Sequence, residues 1–327
     1  EQDQNFSAYD EKVMQQLIFY GLPMFAIRSN GSSSLGDEFP GVDLSFDPTG
    51  SLDGSEVITK PVNINFQKVL DGNPDNGQID TRSTDSGQYL SLYGSTSADA
   101  NEPVQPLHFG DISVAQSEAR SVVLLGATIA STTQNFDPLV GTPVNEFVDR
   151  SSAGEATLDT SFGWYPPSPV QVTSNNGEST ILTQLGQFNA NSQEQRLFSS
   201  IETEVYYSTS TDQTAPEITV VDGLYNAATQ KVNVKVGAVD ASGMKEVIVS
   251  YVESESSTTL KSIKLTFDAS SQKWRGSFTG DSNSRFYIQA VDNAGNIYTA
   301  SNKGNYYRPA SERALALNLL YLPVISK

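Results

Sequence analysis

The sequence predicts an all-β protein: a jelly-roll-like β-sandwich followed by an immunoglobulin-like sandwich, with one short helix at the N-terminus. Three observations carry that reading. Apolar residues alternate with polar ones at the period of two that a half-buried strand requires, and Val, Ile, Thr, Tyr and Phe dominate those runs. Clusters of Gly, Asn, Asp, Ser and Pro separate the runs at short intervals. Helical spacing shows in one segment only.

That segment opens the chain. Ser7 stands as an N-cap with Asp10 three residues on, an acidic form of the capping box, and Val13, Met14, Leu17 and Ile18 then share one face. Gly21 ends the helix, Pro23 prevents its resumption, and Met24–Ile27 reads as a strand. A helix and a strand do not make a domain, so residues 1–30 read as the end of something larger upstream. Glu1-Gln2-Asp3-Gln4 is polar and acidic, unlike a secretory leader, and the missing initiator Met is expected of a processed or partial product.

Residues 31–211 form the expected large sandwich. Val62, Ile64 and Phe66 alternate, as do Leu90 and Leu92, with Gly94 continuing the period around Tyr93. Ser121 to Ile129 is a near-continuous apolar run, suited to a strand buried on both faces, and Ile181 to Phe188 and Thr203 to Tyr207 supply further strands. No convincing helix interrupts this stretch. Thr211 to Pro216 reads as a linker. Residues 212–308 then show about seven short strands, the signature of an immunoglobulin-like sandwich. Its alternations are Val232, Val234 and Val236, then Val247, Val249 and Tyr251, then Ile263, Leu265 and Phe267, then Phe286, Ile288 and Ala290. Residues 309–327 end the chain in an apolar tail whose Leu315, Leu317, Leu319 and Tyr321 alternate. So apolar an end must pack on its own fold or on a neighbour.

Composition narrows the chemistry. The 327 residues include no Cys and one His, which removes thiolate nucleophiles, thiolate metal sites and disulfides, and leaves at most one imidazole. Asp and Glu number 38 against 20 Lys and Arg, a net charge of −18, which disfavours nucleic acid and anionic membranes. No apolar stretch approaches a membrane span. No catalytic residue is therefore assigned. His108, in Pro106-Leu107-His108-Phe109, reads as a packed histidine, with no Gly-x-Ser-x-Gly elbow to support a triad.

The acidic surplus favours cations, calcium first. Asp71, Asn73, Asp75 and Asp80 space oxygen ligands as a calcium loop does, although Asn76 stands where the loop glycine belongs and Arg82 where the bidentate Glu belongs. A plain turn is the alternative. Asp240 and Asp292 each end a strand before a Gly turn, a place that Asx-turns explain, with a cation shared between them the less favoured reading. Trp164-Tyr165-Pro166-Pro167 reads as a cap on one end of the sandwich core rather than a ligand-binding patch.

Three stretches carry a resemblance to a known family: Tyr9-Asp10-Glu11-Lys12 with Phe19-Tyr20-Gly21-Leu22-Pro23-Met24; the motifs Asp111-Ile112-Ser113, Asn135-Phe136-Asp137-Pro138, Gly163-Trp164-Tyr165-Pro166, Gly186-Gln187-Phe188 and Glu204 to Ser208; and Gln289 to Asn296 with Asn302 to Tyr307. Together they resemble the C-terminal, non-catalytic portion of gingipain-like cysteine peptidases of bacterial surfaces, followed by a widespread bacterial Ig-like module. The resemblance implies a catalytic His and Cys upstream of the matched helix, outside this chain. The resulting expectation is a non-catalytic extracellular or cell-surface protein, structural or adhesive, assembling into a filament or layer. Self-association would run through Leu315–Ile325 or the N-terminal helix. The alternative is the accessory half of such a peptidase, with the upstream catalytic domain as partner.

Overall fold

The alternating runs become strands, and the turn clusters become the connections between them. The computed structural model describes residues 39–49, 57–73, 79–142 and 156–311. The N-terminal helix, the Met24–Ile27 strand and the tail from Leu315 lie outside the described residues.

The first part of the chain contributes β1 (Asp43–Phe46), β2 (Val57–Asn65), the helical turn α1 (Gln67–Leu70), β3 (Ile79–Thr84), β4 (Gly87–Leu92), β5 (Thr96–Ser97) and β6 (Gln105–Asp111). It continues with β7 (Ala119–Thr133), β8 (Trp164–Tyr165), β9 (Val170–Asn175), β10 (Glu178–Gln184), β11 (Gly186–Asn189) and β12 (Glu194–Ser208). The second part contributes β13 (Glu217–Asn226), β14 (Lys231–Val239), β15 (Met244–Val252), β16 (Thr259–Lys264) and β17 (Thr266–Asp268). It closes with β18 (Lys273–Thr279), β19 (Arg285–Asp292), β20 (Ile297–Ala300) and β21 (Ala310–Ser311). Among the described residues this is all-β architecture, and no helix is long and apolar enough to cross a membrane.

Two sandwiches result. In the first, strands β1, β2, β12 and β7 lie side by side and face the sheet β5–β6–β10–β9. Val62 and Ile64 of β2, Ile201, Val205 and Tyr207 of β12, and Val122 and Leu124 of β7 meet Ile181 of β10 in one core, each at most 7% exposed. In the second, β17–β18–β14–β13–β21 covers β16–β15–β19–β20. Val232, Val234 and Val236 pack there against Val247, Val249, Phe286, Ile288 and Ala290.

The sandwiches share a sheet. Beyond β7 the first sheet continues through β16 into β15, β19 and β20, so one ten-stranded sheet carries strands from both sides of Thr211–Pro216. The join is short: Thr128 and Ala127 of β7 pair with Thr259 and Leu260 of β16, and Ile129 donates to the Thr258 carbonyl at 2.7 Å. Side chains seal what the backbone leaves open. Val122 and Leu124 face the first core, while Val123, between them, joins Tyr206, Ile248 and Val291 in a separate cluster with no exposure. The apolar run from Ser121 is thus buried on both faces because Ile248 of β15 and Val291 of β19, further along the same sheet, pack against its outer side.

One polar side chain completes the seam. Where β7 and β12 slip register beside Leu124, that residue's backbone turns away from β12. Gln289, 1% exposed, answers it: Oε1 accepts the Leu124 N–H at 2.8 Å and Nε2 donates to the Leu124 carbonyl at 2.8 Å. The second Nε2 hydrogen reaches Ser250 Oγ, which itself donates to the same carbonyl at 2.9 Å. At the rim the Tyr206 hydroxyl donates to Glu246 at 2.6 Å, and Lys264 bridges Glu246 and Glu204 at 2.7 and 3.0 Å. A further contact binds the two backbones directly. Trp164 N–H donates to the Gly304 carbonyl, and a Cβ on Gly304, whose φ is +72°, would stand 2.2 Å from the Trp164 carbonyl.

Several runs differ from the sequence reading in instructive ways. The run Ile181–Phe188 breaks at Leu185, whose N–H bonds Pro106 and whose carbonyl takes Phe198 N–H, so the chain turns there from one sheet to the other. The run Ile263–Phe267 breaks at Leu265 for the same reason, with β16 in the ten-stranded sheet and β17 in the five-stranded one; Phe267 ends 45% exposed against Trp274. The alternation at Leu90 and Leu92 stops before Tyr93 and Gly94, both at positive φ. The unexpected turn α1 forms where Phe66 and Val69 are buried and Asn65 accepts the Gln67 N–H.

Because the seam is dry and shared, both sandwiches are expected to unfold in one calorimetric transition. Gln289→Leu would leave the Leu124 N–H unpaired in that seam and lower stability by about 1–3 kcal/mol in equilibrium denaturation. Two resolved transitions in the wild type would contradict the shared-seam account.

Candidate metal centre and buried titratable groups

Asx-turns position the carboxylates that the fold brings together. Asp240 follows β14 and accepts from the Ser242 N–H and hydroxyl, both at 2.7 Å, which aims its carboxylate across the sandwich end. Asp292 closes β19 with no exposed surface, its Oδ1 accepting the N–H groups of Ala294 and Asn296 at 2.8 Å and its Oδ2 the Asn296 amide at 2.9 Å. The same Asn296 amide donates to the backbone carbonyls of Asp212 and Thr214, pinning the 211–216 connection against this turn.

As a result Asp212, Asp240 and Asp292 each place a carboxylate oxygen within 4.8 Å of the others. Hard cations bind such oxygens at about 2–2.6 Å, so this set has the chemistry and spacing to hold calcium or magnesium. Sequence reasoning singled out Asp240 and Asp292 but not Asp212. Its signal was present: an Asp immediately ahead of the Ig-like strands, opposite the Asn of the Asp292 turn.

Of the other expected ligands, Asp71, Asn73 and Asp80 lie elsewhere among the described residues. Asp71 accepts an Asx-turn bond from the Asn73 N–H at 2.9 Å, just past α1. Asp80 stands on β3 with its carboxylate 3.8 Å from Arg82. Asp75 lies outside the described residues. The polar positions thus include an Asx-turn and a strand of the β3–β4 hairpin.

His108 is 4% exposed on β6, edge-on to Phe39 and Phe66 with ring centroids 5.0 and 5.7 Å away. Its Nδ1 has no partner among the described residues, and burial pushes its pKa down to about 4, so the ring packs there in its neutral form at pH 7. Glu102 shows the converse effect: burial first, then Asp159 and Asp99, raises it to about 7. Trp164 is half-buried at the edge of the first core, and the guanidinium of Arg196 lies 3.8 Å above its ring.

No protein-family model and no curated protein sequence matches the chain. Among solved structures, it is similar to a chain in the complex of Porphyromonas gingivalis RgpB pro- and mature domains. That match has 12% identity and a TM-score of 0.35, over 53% of this chain and 87% of the other. It is also similar to a chain from a structure addressing the zymogenic latency of gingipain K from the same organism, at 12% identity and a TM-score of 0.31. There the match covers 51% of this chain and all of the other.

Two measurements follow from the buried charges. The unfolded His108 takes a proton near its ordinary pKa of 6.5 and the folded one only near 4. Its contribution to stability is full above pH 6.5 and declines as pH falls to 4, by about 3 kcal/mol. Denaturation of the wild type and His108→Phe across that window should diverge by this amount. In chelating buffer at neutral pH, Asp240→Asn should stabilise the chain by about 1 kcal/mol, because it removes one of three converging negative charges while keeping the Ser242 bonds. A destabilised Asp240→Asn under those conditions would contradict the repulsion.

Proposed function

We propose that this chain is a non-catalytic extracellular structural element, in which two β-sandwiches act as one rigid body that spaces or presents neighbouring parts of a surface protein. The observation that carries this reading is the ten-stranded sheet with its dry seam, where Val123, Tyr206, Ile248 and Val291 are all without exposure. Two independently tethered domains would show a smaller, wetter contact. The composition supports the same reading: without Cys, and with its one imidazole buried between aromatic rings, the chain offers no recognisable activated nucleophile among the described residues. The surplus of acidic side chains suits a solvated outer surface.

The expected result is that the purified chain hydrolyses no peptide or protein substrate, and that antibodies to it label intact source cells. Turnover by the purified chain that is lost in His108→Ala would overturn the non-catalytic part. Labelling seen only after cell lysis would overturn the extracellular part.

A further inference from the structure

At the seam between the sandwiches lies a cleft of about 730 Å³, walled by Trp164 of β8, the β11–β12 turn and β12 on one side and by β19 and residues 302–308 on the other. In a chain of net charge −18, three arginines line it: Arg196, Arg285 and Arg308. Their own chain does little to neutralise them. Arg196 is buried and spends Nε and Nη2 on Gln187 Oε1, with a long contact to the Tyr306 hydroxyl at 3.4 Å. Among the described residues it has no ion pair, and its Nη1 has no hydrogen-bond partner. Arg308 is exposed and also makes no ion pair among them. Arg285 donates from Nη1 to the Asn283 carbonyl at 3.2 Å, and its one ion pair among the described residues is with Glu255 at 3.9 Å, whose side chain is 76% exposed. The remaining lining carboxylate, Glu194, acts on Arg196 by charge alone and takes its hydrogen bonds from Gln134 and Ser192. Burial, and then the charge of Arg308, weakens the hold of Arg285 on its proton, so the pair stands to gain from a shared anion.

The rest of the lining specifies more than charge. Asn302 and Asn305, both exposed, donate from their amide nitrogens to neighbouring carbonyls at 3.4 and 3.3 Å, and their side-chain oxygens accept no hydrogen bond among the described residues. Asn189 does the reverse: its oxygen takes the N–H groups of Asn191 and Ser192, which leaves its amide nitrogen as a donor. Trp164 and Tyr306 also line the cleft. The lining thus offers both acceptors and a donor beside the arginines, a set that hydroxyl groups match because they donate and accept.

We propose that this cleft binds a carboxylate-bearing sugar residue, with Arg285 and Arg308 clamping the carboxylate and the asparagine amides and Arg196 taking the ring hydroxyls. The assignment stands apart from the non-catalytic reading, since it concerns retention and no bond is broken.

The test is calorimetric titration of the full chain with short oligomers of galacturonate, glucuronate and N-acetylneuraminate, a neutral glucose oligomer of equal length, and a Glu-rich peptide. At least one acidic sugar should bind, more weakly as salt rises, and the neutral oligomer should not. Arg308→Gln and Arg285→Gln should each weaken binding by about tenfold at an unchanged melting temperature, and Arg308→Lys should restore it only in part. Binding by no acidic sugar, equal binding of the neutral oligomer, variants as tight as the wild type, or preference for the Glu-rich peptide would each overturn the proposal.

Discussion

The architecture depends on one backbone defect and the side chain that repairs it. Strand β7 pairs with β12 and packs against a second sandwich, and at Leu124, beside one of four register shifts in that pairing, the N–H and carbonyl are bonded by side chains of the second sandwich. A buried peptide group without partners costs more than any single apolar contact nearby returns. Gln289 satisfies both atoms and leaves none of its own unmet, since its second hydrogen goes to Ser250. The carboxamide therefore acts as a surrogate strand for the Leu124 peptide. With that group satisfied, Val123 and Tyr206 pack against Ile248 and Val291, and the rim closes through Tyr206, Glu246, Lys264 and Glu204.

Much of the fold was legible from period alone. Val62, Ile64, Val232, Val234, Val236, Val247, Val249, Phe286, Ile288 and Ala290 all alternate in sequence and are all buried. The continuous run from Ser121 announced a strand covered on both faces, and it is one. Local pattern could not say what covers the outer face, because Ile248 and Val291 lie more than a hundred residues away and read equally well as core of their own sandwich. The same limit explains the runs that broke at Leu185 and Leu265. At both, apolar spacing continues unbroken through a residue whose backbone changes sheets, and only the hydrogen-bond partners reveal the corner.

The sites were less legible than the fold. Spacing pointed to Asp71, Asn73, Asp75 and Asp80 because ligand loops are local patterns, whereas the three carboxylates that converge among the described residues come from a connection and two separate strand ends. The Asn296 amide bonds both the Asp212 backbone carbonyl and the Asp292 carboxylate, a link between residues eighty apart that no local spacing announces. The arginine-lined cleft had no sequence signature at all: Arg196, Arg285 and Arg308 come from strands and a loop that meet only across the seam.

The seam also bears on how the chain reaches its native state during synthesis. Residues through Ser208 leave the ribosome first, and with them both strands that present Val123 and Tyr206. The groups that cover these side chains, Ile248 and Val291, follow only after about forty to eighty more residues, a delay of several seconds at ordinary translation rates. During that interval the leading sandwich carries a bare apolar face, an unfinished sheet edge at Thr128 and an unpaired peptide at Leu124. It is then a template for strand addition by any neighbouring nascent chain. Protection of that face is thus a burden on the cell before it becomes a property of the protein.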